Sequence, residues 1–200
     1  MKLSLTQLEI ARANPRAMAI ALRSKEKARL SFSRALALYL SARKYHQEND
    51  DLTTARDYLI DMYRRNFVRP EELLKLLDEL GRYAAAYRAT GNTIIKLRTR
   101  ISITIDADFE LTGEIPRLDL VPNGGYAVWL FSRNTNQWRE ELRMPIIQLY
   151  FARTLGVAVS GVSVGFYFFT AARYESYRYP QTQIDAAMRE CRRLGVVLRA

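Results

Sequence analysis

The sequence is poor in the residues that build covalent or metal-held sites. Among its 200 residues there is one cysteine, Cys191, and one histidine, His46. A lone thiol excludes an intramolecular disulfide and any cysteine-based metal site, so a reducing, cytoplasmic setting is the expectation. One imidazole with no cysteine cluster excludes the usual zinc donor sets. Long apolar runs are also missing. The most apolar stretch, Val157 to Thr170, is too short to cross a bilayer and is followed by charge, and the opening MKLSLTQLEIARANPR lacks a signal-peptide core. No membrane partner is expected.

What is present is apolar residues at 48% and a formal net charge of +10, with a pI near 9.9. The first suffices for a real core in one or two domains. The second attracts polyanions, of which nucleic acid is the most abundant in a cytoplasm.

Residues 1–91 read as helical. An amphipathic stretch begins at Leu5 and pauses at Asn14-Pro15. A second runs from Ala28 to about His46, and Glu48-Asn49-Asp50-Asp51 breaks it. Asp51 or Thr53 caps a third, with Ala55, Tyr58, Leu59, Met62 and Tyr63 on one face. Arg69-Pro70-Glu71-Glu72 opens a fourth, ending near Thr90-Gly91 unless Gly81 interrupts it. The period then changes from helical to two. Ile95 through Ile105 alternate as a strand, Phe109–Leu120 is a second, and Asn123-Gly124-Gly125 turns into a third, Tyr126–Phe131. Glu140–Leu155 reads as a helix, Val159–Thr170 as a fourth strand and Gln181–Leu194 as a last helix. The expected fold class is α/β, with a helical region over 1–91 packed on a mixed-sheet core over 92–200 in the order β-β-β-α-β-α.

Several segments in that order resemble the RecB/AddB-like branch of the PD-(D/E)XK nuclease superfamily. Ser4-Leu5-Thr6 and Asn14-Pro15 are similar to its opening Ser-Xaa-Thr and Pro-containing helix. Gly113-Glu114-Ile115-Pro116-Arg117-Leu118-Asp119 resembles its Gly-Xaa-Ile-Asp-Arg-Xaa-Asp strand, and Asn123-Gly124-Gly125-Tyr126 its following hairpin. Leu130-Phe131-Ser132-Arg133-Asn134 aligns with its Asp-Tyr-Lys-Thr-Gly, and Gln148-Leu149-Tyr150 with its Gln-bearing helix. The resemblance covers residues 92–170 well and 1–91 loosely. It implies a PD-(D/E)XK-like core in which two carboxylates hold a divalent metal and a lysine orients the nucleophile.

At those three places stand Pro116, Leu130 and Ser132. Neither Pro nor Leu ligates a metal, and Ser lacks the ammonium charge. The acid expected near Leu97–Arg100 and the helix histidine expected near Ser33–Leu36 are missing too. Glu110, Glu114 and Asp119 could serve a relocated site only with an acid from the third strand, which has none. Asp119 reads more simply as a hairpin-end partner of Arg117. No catalytic or metal residue is therefore assigned, and no cofactor, with magnesium or manganese relevant only to a relocated site.

The expected function is that of an inactive nuclease-fold protein that binds nucleic acid, DNA more than RNA, as a subunit of a repair or defence complex beside a helicase or nuclease. A non-binding scaffold and an active nuclease with a relocated site are the alternatives. The candidate contacts are Arg133, Arg139 and Arg143 around the cleft, and Arg173, Tyr174, Tyr177 and Arg178, where rings interleave with cations. Trp138, in a polar stretch, is a further candidate contact, whereas Trp129 is expected in the core. Arg43, Lys44, Arg64, Arg65 and Arg69 form a second basic cluster, as consistent with a solvated face. His46 reads as a helix-end residue with no partner.

Overall fold

The structure is a computed structural model and describes residues 1–24, 33–66 and 69–199. The chain runs β1 (Lys2–Ser4), α1 (Leu5–Ala13), α2 (Pro15–Ser24), α3 (Arg34–Gln47), α4 (Leu52–Asn66), α5 (Pro70–Thr90), β2 (Thr93–Asp106), β3 (Phe109–Leu120), β4 (Tyr126–Ser132), α6 (Arg143–Leu155), β5 (Val162–Phe168), β6 (Arg173–Tyr177) and α7 (Gln181–Arg199). It is an α/β protein with an N-terminal helical region and a mixed six-stranded sheet. No helix among the described residues is long and apolar enough to cross a membrane.

Local chemistry explains the helix limits. Ser4 and Gln7 form a reciprocal capping box at the start of α1, with the Gln7 amide donating to Ser4 Oγ at 3.1 Å and the Ser4 amide to Gln7 Oε1 at 2.8 Å. Asn14 Oδ1 accepts the Ala17 amide to start α2. Pro70 stands in the first turn of α5 with Glu71 and Glu72, and Gly91, at φ +64°, ends that helix in the left-handed conformation. Gly81 does not interrupt α5, which is held by packing against α3 and α4. The expected start of α3 at Ala28 and Leu30 lies outside the described residues.

The sheet order is β1-β3-β4-β5-β6, with β2 on the other side of β3. β2, β3 and β4 form an antiparallel meander, β4 and β5 are parallel across the α6 crossover, and β6 returns antiparallel to β5. Two strands were not expected from the sequence. β1 pairs parallel with β3 through Lys2↔Glu110 to Ser4↔Thr112, and β6 is an edge strand facing Val164–Phe168. The helix expected from Glu140 begins at Arg143, after a 3-10 turn at Trp138–Glu140.

One face of the sheet is closed by α6 over Leu118, Val128, Leu130, Val164, Phe166 and Phe168. The same side continues into a cluster joining α1, α2 and α7 through Leu8, Met18, Phe109, Leu111, Ile146 and Leu194. Residues 1–24 thus lie with the sheet, not with α3–α5. Those three helices form their own core with Tyr167 and Phe169 on the opposite face. β3 joins the two regimes. Ile115 and Leu118 are an odd number of residues apart, yet both face the α6 cluster. The register is the same on both sides, Leu97↔Arg117 and Thr99↔Ile115, and the irregularity between them is in the backbone of Arg98, which adopts φ +56° opposite Pro116.

The β5–β6 pairing leaves no room at Gly165. A Cβ there would lie 2.7 Å from Ser176 Cα and still closer to the Glu175 carbonyl oxygen. Gly165→Ala is expected to cost about 2–4 kcal/mol, whereas Gly161→Ala, whose Cβ would meet only Val157 at 3.7 Å, should stay within about 0.5 kcal/mol of wild type. Urea denaturation of both variants measures the contrast.

Candidate functional site

The conspicuous polar centre of the molecule lies inside it. Arg117 and Asp119, on the α3–α5 side of β3, are both fully buried and form an ion pair with Nε and Oδ1 3.0 Å apart. Asn92, in the link from α5 to β2, donates to Asp119 Oδ2 at 3.1 Å. The guanidinium carbon of Arg117 lies 4.9 Å from the Tyr87 ring centre, 5.2 Å from Tyr174, 5.8 Å from Tyr83 and 6.0 Å from Phe131. Four π faces and one carboxylate thus stand where water would otherwise solvate a cation. Burial pushes the Asp119 carboxyl upward and the guanidinium pulls it back. At 3.0 Å from a permanent cation the pair is ionised at neutral pH.

A hydrogen-bonded chain leads outward from this pair. Arg117 Nη1 donates to Tyr83 Oη at 2.6 Å. Tyr83 Oη lies 2.6 Å from His46 Nε2, and His46 Nδ1 lies 2.7 Å from Asp50 Oδ1 at the surface. The tautomer that satisfies all three contacts is neutral His46 with its proton on Nδ1, accepting from Tyr83 and donating to Asp50. Burial and the neighbouring Arg117 charge lower the His46 pKa to about 4. Asp50, four residues on, is a partner that the i,i+4 spacing could have suggested, whereas Tyr83 and Arg117, 37 and 71 positions away, left no local signal.

The positions that the resemblance assigns to chemistry do not form a metal site. Leu130 is buried in the apolar α6 cluster. Ser132 Oγ donates to the Asn134 carbonyl. Each carboxylate on β3 is already engaged: Glu110 with Lys2 at 2.7 Å and with Ser102, Glu114 with Arg98 at 2.8 Å and Tyr39 at 2.7 Å, and Asp119 with Arg117. Among the described residues no three His, Cys, Asp or Glu side chains converge. These donors do not fit a divalent cation.

The structure separates the candidate contact residues into two groups. Arg133 grips the buried Glu79 through Nε and Nη2, at 3.2 and 3.0 Å. Arg143 pairs with Glu141 at 2.7 Å and lies over Phe166. Arg173 pairs with Glu175 at 2.6 Å. Tyr174 turns inward, its ring 4.7 Å from Trp129 and 4.6 Å from Tyr167. Arg139 and Arg178 are exposed and form no ion pair with a described residue, and Tyr177 is half-buried beside Tyr179. Arg139 lies over the rings of Trp138 and Tyr177 at 5.6 and 5.8 Å. Trp138, expected as an exposed contact, is 1% exposed. It covers Phe166 and donates to Glu175 at 3.3 Å, so its polar neighbours in sequence conceal a core role. Trp129 is buried as expected. In the second basic cluster Lys44 pairs with Glu48 and Arg65 with Asp61, each one helical turn away.

Two predictions follow from the geometry. Because the folded state holds His46 neutral down to about pH 4 while the unfolded chain protonates it near 6.5, stability falls as pH drops through that window, by about 2 kcal/mol from this group. His46→Gln should flatten that part of the slope, measured as urea stability at pH 7.5 against pH 4.5. Asp119, with its opposite tendency, is present in both proteins and cancels. Separately, Pro116→Asp with Leu130→Asp and Ser132→Lys places two acids against a packed strand and should cost several kcal/mol before any activity is gained. An unchanged melting temperature in metal-free buffer would contradict the burial argument.

No protein-family model and no curated protein matches the sequence. The crystal structure of a "putative exonuclease" from Eubacterium rectale is similar, with a TM-score of 0.57 and 7% identity, covering 99% of this chain and 81% of that chain. The crystal structure of SSO0001 overlaps at a TM-score of 0.36 and 12% identity, covering 90% and 83% of the two chains, and carries no argument. At this identity the first likeness concerns the fold alone. The helical region and mixed six-stranded sheet are arranged as in the Eubacterium rectale structure.

Proposed function

We propose that this protein is a PD-(D/E)XK-like, RecB/AddB-like pseudo-nuclease that binds nucleic acid without cutting it, as a subunit of a DNA repair or defence complex. The observation that carries the reading is the occupancy of the three chemical positions by Pro116, Leu130 and Ser132, with Leu130 buried. A metal-dependent phosphodiesterase needs carboxylates there to hold the ion that activates water and steadies the charged transition state. The remaining β3 carboxylates are neutralised by Lys2, Arg98 and Arg117. A net charge of +10 supports attraction to a phosphate backbone. Of the cations singled out from the sequence as contacts, Arg139 and Arg178 are exposed and without an ion pair to a described residue, and Arg139 lies over the Trp138 and Tyr177 rings.

Anisotropy titrations with single-stranded DNA, duplex DNA and RNA across salt test the reading. Saturable binding at low salt that weakens steeply with added salt is expected, together with intact substrate after incubation with magnesium or manganese. Metal-dependent cleavage would instead establish an active nuclease. A complete lack of binding to all three would leave the fold as a scaffold for a catalytic partner.

A further inference from the structure

The α6–α7 side of the sheet carries a second basic surface. Two adjoining hollows of about 290 and 300 Å³ share Leu149, Arg153 and Met188 as lining. One extends to the half-buried Tyr150 and the outer strand β2 at Ser102–Thr104, the other to Arg189 and Arg192 on α7. Arg153, Arg189 and Arg192 are exposed, and none of their side chains forms an ion pair or hydrogen bond with a described residue. They differ in this from Arg133, Arg143 and Arg173, each tied to a carboxylate. Asp185, the carboxylate in the lining, accepts from Gln181 at 2.8 Å. Three cations against one acid leave a local charge of +2.

The floor of the groove is apolar, being formed by Leu149, Met188 and the Tyr150 ring, which is held edge-on by Phe151 at 5.3 Å. Three exposed cations around an apolar floor with one ring in it match an unpaired strand. Its phosphates need point charges at the rim, and its bases need a surface to lie against. A duplex offers phosphates but no free base face, so the floor would go unused.

We infer that the groove between α6 and α7 is a single-stranded nucleic-acid site, with Arg153, Arg189 and Arg192 on the phosphates and the Leu149–Tyr150–Met188 floor against the bases. This rests on the nucleic-acid reading above and locates its main contact away from the β3–β4 cleft.

The test compares two triple variants in which exposed cations become alanine: Arg153, Arg189 and Arg192 in the groove, and Arg56, Arg64 and Lys75 on α4 and α5. Both lower the net charge by three, and equal melting temperatures confirm the fold. Oligothymidylate affinity at low salt is expected to fall at least about tenfold for the groove variant and less than about threefold for the other. The slope of log K against log salt should shrink by about 2 for the groove variant, from three lost phosphate contacts on a single strand. Affinity for an equal length of duplex should fall less than for the single strand. If the groove variant binds as wild type does, or both variants lose affinity equally, or duplex and single strand are affected alike, the groove assignment is overturned while nucleic-acid binding stands. If wild type binds no nucleic acid at all, the functional reading fails and takes the groove with it.

Discussion

A guanidinium wholly removed from water is the constraint around which this molecule is arranged. Without compensation a buried charge of this kind would cost several kcal/mol. For Arg117 the compensation is the charge of Asp119 two residues along the same strand, a hydrogen bond from Nη1 to Tyr83, and the ring faces of Tyr83 and Tyr87 from α5, Phe131 from β4 and Tyr174 from β6, while Nε and Nη2 have no hydrogen-bond partner among the described residues. His46 from α3 and Asn92 from the α5–β2 link complete the outer partners. β3 alone supplies the ion pair, but no single element could supply the rings and hydroxyl around it, so its enclosure is complete only when the helical region and the sheet are docked. An apolar interface could slide. One organised around a fixed cation, with a 3.0 Å carboxylate contact and directional hydrogen bonds, has a single register.

That arrangement also accounts for what could and could not be read from the sequence. The meander, the α6 crossover and the long α5 were legible because each has a period, a cap or a turn written within a few residues: the alternating isoleucines of β2, Pro70 and Gly91 around α5, Asn123-Gly124 before β4. β1 and β6 were not. β1 has three residues and exists only because β3 offers it a partner. β6, Arg-Tyr-Glu-Ser-Tyr, has the polarity of a solvated loop because it is an edge strand with one face to water. For the same reason the sequence around Tyr174 does not reveal that its ring turns inward onto Trp129 and Tyr167. His46 and Trp138 failed differently. Each has polar neighbours in sequence, and each is defined by a partner from another element, Tyr83 in one case and Phe166 with Glu175 in the other.

Net charge gave the correct sign of surface but not its location. An arginine in this sequence has three distinct fates. It can be a buried structural cation, as Arg117 is. It can be a clamp on a carboxylate, as Arg133 is on Glu79 and Arg143 on Glu141. Or it can stand in solvent without a described partner, as Arg153, Arg189 and Arg192 do. Only the third kind offers a phosphate its full charge without first breaking an internal contact. Composition does not distinguish the three, whereas the ion-pair geometry does, and it moves attention from the cleft beside β4 to the helices on the sheet face.

The same distinction explains the partial likeness of β3 to the nuclease pattern. Four of its positions agree with Gly-Xaa-Ile-Asp-Arg-Xaa-Asp, and each has a packing reason independent of catalysis. Gly113 makes room for the Leu5 side chain, which a Cβ would meet at 2.6 Å. Ile115 is fully buried in the α6 cluster, and Arg117 and Asp119 are the buried ion pair. The position that differs, Pro116, lies opposite Arg98, which turns to positive φ. The strand's structural role thus does not depend on which side chain stands at position 116. Likeness of fold to an exonuclease structure and carboxylates on β3 that are all held in internal contacts are then compatible properties of one sequence.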